Sequence, residues 1–251
     1  MTGWLGAAGV ALRETVSDLA ALVLPVTCPG CGRDVSPPSA RFCPACAGVL
    51  AAAVPGPVSP SPVPAGMPPC AALAPYDGVL REAILAYKER GRHDLARPLA
   101  GLLAAVVSAG SDRAAPLVLV PVPATASAAR ERFGDHMARL AGHAVRTLRT
   151  AGWSAVVSRP LRALPRPDSA TLDTAGRARA AADAFRVRAR AVPALRRAAA
   201  AGARVVVVDD IVTTGATLAA VARALAAAGV PVARAAVLAA TQRRLAAGQG
   251  G

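Results

Sequence analysis

The amino-acid sequence predicts an α/β fold, a parallel sheet flanked by helices, with a small cysteine-rich module before it. Short continuous apolar runs such as residues 204–208 alternate with segments of helical periodicity. This pattern is typical of strands that are buried on both faces of a parallel sheet. Two Cys-x-x-Cys pairs precede it, and a proline-rich segment separates the two parts. The length of 251 residues suits one full-sized domain and one small module.

The composition excludes some classes of protein but selects no function. With 54% hydrophobic residues, the chain has enough apolar material for a core, which excludes global disorder. The net charge of +14 suits a nucleic-acid or polyphosphate ligand, and equally an arginine-rich gene of biased base composition, since Lys88 is the only lysine. No apolar run of about 18 residues is free of charge and proline, and residues 4–24 lack the features of a secretory signal. We therefore expect a cytoplasmic protein without a membrane span.

The chain before the main domain divides into three parts. Apolar residues between Trp4 and Val23 recur at helical spacing and stop before Pro25, which predicts a short amphipathic helix. The cysteine pairs follow, and residues 52–69 then contain seven prolines, a composition that favours an extended, semi-rigid chain. The predicted organisation is an N-terminal helix and cysteine module over 1–51, a linker over 52–69, the main domain over 70–241 and a flexible tail over 242–251.

The main domain alternates predicted helices and strands. Two helices, around Ile84 and around Leu99, are separated near Gly91. Residues 159–197 contain ten arginines against three aspartates and show no clear period, so we expect them to lie outside the sheet. The other predicted elements are strands at 117–122, 155–157, 204–208 and 235–239, a long helix over 128–148, and a helix that ends at Gly229.

Four cysteines, Cys28, Cys31, Cys43 and Cys46, form two Cys-x-x-Cys pairs with eleven residues between them. Each pair carries Pro or Gly at the turn, so both sulfurs of a pair can point to one tetrahedral zinc ion. Stable disulfides are disfavoured in the expected compartment, and a redox Cys-x-x-Cys rarely occurs twice. Because all four positions are cysteine, the spacing predicts a structural zinc site and disfavours a catalytic one. Cys70 stands apart, and we expect it to be a small buried side chain.

The most informative segment runs from Val205 to Thr217. A buried strand ends at Asp209 and Asp210, and a Thr/Gly loop over 213–217 then opens a helix. Ligands bind at this place in open α/β sheets. The N–H groups of a helix N-terminus favour an anion, and two carboxylates can accept hydrogen bonds from vicinal hydroxyls. A ribose 5-phosphate offers both groups, so the segment predicts a phosphosugar site.

This segment has two other interpretations, a helix cap without a ligand and a common nucleotide-binding loop. Asp210 and Thr213 could satisfy local backbone groups at a capped helix, although two adjacent carboxylates are a costly means of capping one helix. The sequence carries neither a GxxxxGK[ST] loop nor a GxGxxG loop after a strand, which disfavours the common nucleotide-binding loops. The phosphosugar interpretation is therefore the stronger one.

Several cationic residues are further candidates for binding a pyrophosphate group. Lys88 and Arg90 follow a helical stretch and could reach it, the alternative being a solvated helix end. Arg130 and Arg132 could neutralise a leaving group. His136 is either a general acid or base, or a surface or packing residue of the kind that a lone helical histidine more often is.

Residues 205–217 resemble the phosphoribosyl-pyrophosphate (PRPP) motif of the type I phosphoribosyltransferases. In that family, the paired acids hold the ribose 2- and 3-hydroxyls and the following loop wraps the 5-phosphate. The resemblance implies a type I phosphoribosyltransferase-like parallel sheet, with Asp209 and Asp210 as ribose ligands. It also implies a phosphate loop made of Thr213, Thr214, Gly215, Ala216 and Thr217.

The order of the parts resembles the ComF family, which are competence-associated phosphoribosyltransferase-like proteins with an N-terminal zinc finger. The shared features cover roughly residues 4–241. They are the double Cys-x-x-Cys module, the proline-rich join, Tyr76-Asp77-Gly78 before Lys88, Pro121-Val122-Pro123, the arginine-rich stretch and the PRPP motif. The resemblance implies PRPP bound with Mg²⁺ and a nitrogenous acceptor that displaces pyrophosphate. Of the cationic candidates, we expect Lys88 and Arg132 to be further binding residues. It leaves a homodimer open.

Two positions depart from the family pattern. Where the family has Arg-Gly-aromatic-Asn-Gln, or a variant ending in Asp-His, residues 132–136 read Arg-Phe-Gly-Asp-His, and Ser169 stands where the family tends to have glutamine. Two alternatives to an enzyme stay open. The family's link to competence favours a non-catalytic DNA-uptake accessory that binds single-stranded DNA or a helicase partner, and the altered segment 132–136 is compatible with a PRPP-sensing regulator. An aromatic content of 3% disfavours single-stranded DNA, whose bases stack on aromatic side chains.

Overall fold

The computed structural model describes residues 27–37, 40–125, 127, 130, 134–164 and 184–241. The predicted helix over 4–24, the tail over 242–251, and the residues Arg132 and Ser169 lie outside this part of the chain. No helix within the described part is long and apolar enough to cross a membrane.

A six-stranded, mostly parallel sheet forms the centre of the fold. The described strands are β1 (Gly56–Val58), β2 (Cys70–Pro75), β3 (Leu117–Pro121), β4 (Ala155–Val157), β5 (Leu161–Ala163), β6 (Phe185–Val187), β7 (Arg204–Val212) and β8 (Arg234–Ala240). The main sheet has the order β1-β2-β8-β7-β3-β4, in which only the β1–β2 pair is antiparallel. β5 and β6 form a separate antiparallel pair. The described part of 159–197 therefore lies outside the main sheet, as expected.

Helices cover both faces of this sheet. The described α-helices are α1 (Pro44–Ala51), α2 (Gly78–Glu89), α3 (Ala96–Ala109), α4 (His136–Thr150), α5 (Val192–Ala200) and α6 (Ala216–Ala227). Side chains alternate between the faces along β7. Val206 and Val208 belong to the core cluster that includes α3 and α4, whereas Val205 and Val207 belong to the cluster that includes α5 and α6. The predicted α/β class with a parallel sheet is confirmed.

Strand β7 is longer than the predicted strand over 204–208. It pairs with β8 as far as Val212, which lies opposite Ala240. Asp209 and Asp210 consequently lie within the last part of the strand and not after it. Because side chains alternate along a strand, the two carboxylates point in different directions: Asp210 is buried, and Asp209 is partly exposed.

Helix α4 starts later than the helix predicted over 128–148. Its N-cap is Asp135, whose Oδ1 accepts a hydrogen bond from Ala138 N at 2.9 Å. A carboxylate in this position satisfies one of the free N–H groups at a helix N-terminus, which makes His136 the first residue of the helix.

The proline-rich segment over 52–69, predicted to be a linker, packs along the main domain. Residues 56–58 form strand β1 and pair with β2 at the sheet edge, where a proline is tolerated. Further along, Arg223 Nη1 donates a hydrogen bond to Ala65 O at 2.7 Å, which ties the segment to helix α6. These pairings depend on the sheet that the segment joins, so its composition did not indicate them.

Candidate functional site

A cavity of about 410 Å³ lies at the carboxyl ends of β3 and β7. This is the edge of an open parallel sheet where ligands bind. The walls come from α2, α4, the loop after β3, the β5–β6 pair and α6. They are formed by Lys88, Val122, Pro123, Ala124, Thr125, Ser127, His136, Met137, Ala163, Ala184, Phe185, Asp209, Asp210 and Thr217.

Asp210 contacts two other side chains of this cavity, those of Lys88 and His136. It is only 6% exposed, and its Oδ2 lies 2.8 Å from Lys88 Nζ and 3.2 Å from His136 Nε2. With the carboxylate ionised, His136 Nε2 carries the proton that it donates. His136 Nδ1 is buried and has no hydrogen-bond partner in the described part of the chain, so the histidine meets the site through Nε2.

The surroundings of Asp210 favour its charged form. Burial raises the pKa of this carboxyl, but the hydrogen bond from His136 and the positive charge of Lys88 outweigh burial and leave the pKa below its ordinary value. Asp210 is therefore a carboxylate at neutral pH, able to accept hydrogen bonds.

Helices α2 and α4 hold the two partners of Asp210. Lys88 lies in the last turn of α2, and Tyr87 next to it donates a hydrogen bond from its hydroxyl to His136 O at 2.8 Å. The Tyr87 and His136 rings also meet edge to face, with centroids 6.3 Å apart. One helix thus presents Lys88 directly and fixes the start of the helix that presents His136.

The loop after β7 leads to the N-terminus of α6. Gly215 is the N-cap residue, with a φ of +74° that favours glycine. Gly215 is buried beneath the proline-rich segment. A Cβ at this position would come 3.0 Å from Pro60 Cγ and would overlap Met67 Sδ. Thr213 and Thr214 are exposed, and Thr217 lines the cavity together with Asp209 and Asp210. Of the predicted phosphate loop, its last residue, Thr217, therefore shares the cavity with the acidic pair.

The structure brings some predicted residues together and separates others. Lys88, Asp209, Asp210 and Thr217 line one cavity. Arg90 is turned away, because its Nη2 pairs with Glu82 Oε2 at 2.6 Å on the exposed side of α2. Arg130 is exposed, and Arg132 is not among the described residues.

The sequence left the role of His136 open and did not indicate Phe185. His136, a candidate general acid or base or else a surface or packing residue, is buried against Asp210. Asp135, a typical N-cap residue immediately before it, could have placed it at a helix start that faces the sheet edge. No feature of the sequence indicated that Phe185, from the β5–β6 pair, reaches this cavity.

The four cysteines form a second, separate cluster. All four Sγ atoms lie within 4.8 Å of one another, and those of Cys31 and Cys43 are 3.6 Å apart. A tetrahedral zinc ion with Zn–S bonds of about 2.3 Å needs sulfurs about 3.8 Å apart, so the cluster fits such an ion. Hydrogen bonds from Arg33 lower the pKa of the Cys31 thiol to about 6, which favours the thiolate that metals bind. The predicted metal ligands are thus gathered at one point.

The cysteine cluster rests on helix α2 and the loop that follows it. Val79, in the first turn of α2, packs against the cluster, and a Cβ on Gly30 would lie only 2.8 Å from Val79 Cγ1. Arg92 Nη1 donates to Thr27 O at 2.9 Å, and Arg92 is itself held by a hydrogen bond to Asp94. The cysteine module therefore contacts the helix that carries Lys88 at its first turn, through Val79, and the loop after its last turn, through Arg92.

Comparison with known proteins adds one finding. No curated protein matches the chain. Residues 168–248 match a family model described as a phosphoribosyl transferase domain, and this range contains the acidic pair and the loop of the candidate site. This part of the chain is therefore similar to a phosphoribosyl transferase domain, a family whose description indicates phosphoribosyl transfer.

Proposed function

We propose that this protein is a ComF-like phosphoribosyltransferase that binds PRPP with Mg²⁺ in the cavity around Asp209 and Asp210. In the proposed reaction a nitrogen atom of the acceptor bonds to ribose C1, the bond from C1 to the pyrophosphate oxygen breaks, and pyrophosphate leaves with the electron pair. The observation that carries the proposal is that the acidic pair, Thr217 at the end of the Thr/Gly loop, and Lys88 line one cavity.

Each group in the cavity has a part in the proposed binding. Asp209 and Asp210 accept hydrogen bonds from the ribose hydroxyls, and the N–H groups at the start of α6 receive the 5-phosphate. When PRPP binds, the ammonium group of Lys88 exchanges its ion pair with Asp210 for one with the more highly charged pyrophosphate. Carboxylate oxygens are the ligands that Mg²⁺ prefers, so Asp209 and Asp210 would hold the ion together with PRPP. When bound, Mg²⁺ neutralises charge on the leaving pyrophosphate.

Calorimetric titration of the full chain with PRPP, with and without Mg²⁺, tests the proposal. The test variant is Asp209→Asn with Asp210→Asn. The control is Asp112→Asn, at an exposed aspartate whose Oδ1 accepts from Ala114 N at 2.9 Å, a bond that asparagine can keep. Loss of two charged acceptors at about 1.5–3 kcal/mol each should weaken binding at least about a hundredfold. Unchanged affinity in the double variant, or no binding by the unaltered chain, overturns the assignment.

Binding of single-stranded DNA is a second candidate, favoured by one basic surface. A groove between α3 and α4 is lined by Arg97, His143 and Arg146. Burial lowers the pKa of His143, and the positive charges of Arg146 and Arg97 lower it further, which reports a positive local potential. Such a surface suits a phosphate backbone. No Phe, Tyr or Trp side chain lines the groove in the described part of the chain, so the large aromatic rings on which bases usually stack are absent there.

A further inference from the structure

A second cavity lies at the opposite end of the sheet from Asp210. It encloses about 350 Å³ at the amino ends of β2 and β8, beside the end of α3. Most of its wall is apolar or glycine, and one side chain in it is charged, that of Arg234, the first residue of β8. The remaining wall residues are Pro55, Gly56, Pro57, Pro69, Cys70, Ala71, Ala109, Gly110 and Ala233.

The Arg234 guanidinium packs into this wall, and one of its nitrogen atoms has no hydrogen-bond partner. Its Nη1 atom is fully buried and donates to no acceptor in the described part of the chain. Gly110 makes room for it, since a Cβ on Gly110 would overlap the guanidinium. The end of α3 favours a nearby cation through its helix dipole, yet Nη1 donates to none of the α3 carbonyls. The dipole of α3 therefore accounts for a positive charge at this place, but it provides no hydrogen-bond acceptor for Arg234 Nη1.

A partly buried cation without an anionic partner is less favourable than a fully solvated one. Burial lowers the pKa of Arg234, which means that its charged form is less well solvated here than in water. A guanidinium remains charged in proteins, so an anion bound in the cavity would offset the lost solvation. None of the residues that line the cavity is acidic, and the neighbouring Cys70 thiol stays neutral because burial raises its pKa to about 12.

We propose that this cavity binds a small monocarboxylate with a short apolar group, held by Arg234. One guanidinium neutralises one negative charge and can bind a carboxylate through paired N–H groups. The proline, alanine and glycine walls accommodate an apolar group and offer no second cation for a dianion such as phosphate. The site is independent of the proposed phosphoribosyl site, because the two cavities lie at opposite ends of the strands.

Saturation-transfer NMR on the full chain tests the proposal, with butanoate as the probe and 1-butanol as its neutral counterpart. The variant is Arg234→Met, which keeps an apolar stem and removes the charge. The control is Arg204→Met, at an exposed arginine that opens the neighbouring strand β7. We expect butanoate to bind the unaltered chain and R204M, and its affinity to fall at least about tenfold in R234M, as a lost charge-assisted hydrogen bond predicts. Saturating PRPP should leave butanoate binding unchanged.

Three results would overturn the proposal. They are no saturation transfer to butanoate in the unaltered chain, equal transfer to butanoate and butanol, and equal butanoate affinity in R234M. Inorganic phosphate that displaces butanoate at equal concentration would overturn the assignment to a monocarboxylate. The comparison of butanoate with butanol needs only the unaltered chain, so the proposal remains open to refutation even if R234M does not fold.

Discussion

Replacement of Lys88 by methionine tests the ion pair at the centre of the candidate site. Methionine keeps an unbranched apolar side chain but removes the ammonium group 2.8 Å from Asp210 Oδ2. At an effective dielectric constant of about 20, two unit charges at this distance attract by about 6 kcal/mol. Loss of hydration opposes several kcal/mol of that attraction, because Asp210 is only 6% exposed. We expect K88M to lower the free energy of unfolding by about 2–3 kcal/mol.

A double-mutant cycle isolates this interaction. Urea unfolding of the unaltered chain, K88M, D210N and the double variant should give a coupling free energy of about 1.5–3 kcal/mol. The matched control is the cycle of Arg90→Gln and Glu82→Gln, which removes an exposed ion pair of 2.6 Å on the same helix. Because exposed pairs contribute little, its coupling should stay below about 1 kcal/mol.

The pH dependence of the coupling gives a second readout. The folded-state pKa of Asp210 is lower than its ordinary value, so the pair contributes stability above the unfolded pKa of about 3.9. This contribution is lost as the pH falls through the lower, folded pKa. The coupling should therefore be constant from neutral pH to about pH 4 and decline below it. Additive single variants, or a coupling that persists when Asp210 is protonated, would refute the reasoning.

Three further predictions concern the cysteine cluster, the loop and the basic groove. Chelation, or Cys28→Ser, should release close to one zinc per chain and speed hydrogen exchange over residues 27–50, measured by a metal indicator and mass spectrometry. Gly215→Ala should destabilise the fold by about 1–3 kcal/mol in urea unfolding, because it adds a clash to a positive φ. Arg97→Gln with Arg146→Gln should weaken binding of a single-stranded oligonucleotide and reduce the salt dependence of its affinity.

Each of these predictions has a matched control in the chain. Cys70→Ser should release no zinc, and a fully folded protein without metal would contradict the zinc assignment. Gly202 has a φ of +88° with open space around its Cβ position, so G202A measures the backbone strain alone, and equal losses in G202A and G215A would exclude the clash. Arg190 is exposed outside the groove. An R190Q variant that weakens DNA binding as much as the groove variants would show that the net charge, and not the groove, binds the oligonucleotide.

Local patterns in the sequence were enough to predict the periodic elements and the short motifs. The run of valines over 204–208 predicted a doubly covered strand because its apolar residues are continuous, and β7 is such a strand. The spacing of the four cysteines predicted their convergence because each Cys-x-x-Cys turn is short and local. The helices on either side of Gly91 were likewise predicted from their 3.6-residue period.

Contacts between residues that are distant in sequence could not be predicted from local patterns. His136 and Asp210 are 74 positions apart, and their contact depends on where the Asp135 cap starts α4 and on the strand order that sets α4 beside β7. The proline-rich segment forms strand β1 because it pairs with β2 at the edge of the sheet. This pairing also places the segment against Gly215. The burial of Arg234 Nη1 without a hydrogen-bond partner depends on the end of α3, which packs against it at Gly110. Local periodicity specifies elements, whereas contacts between residues far apart in sequence depend on how those elements pack.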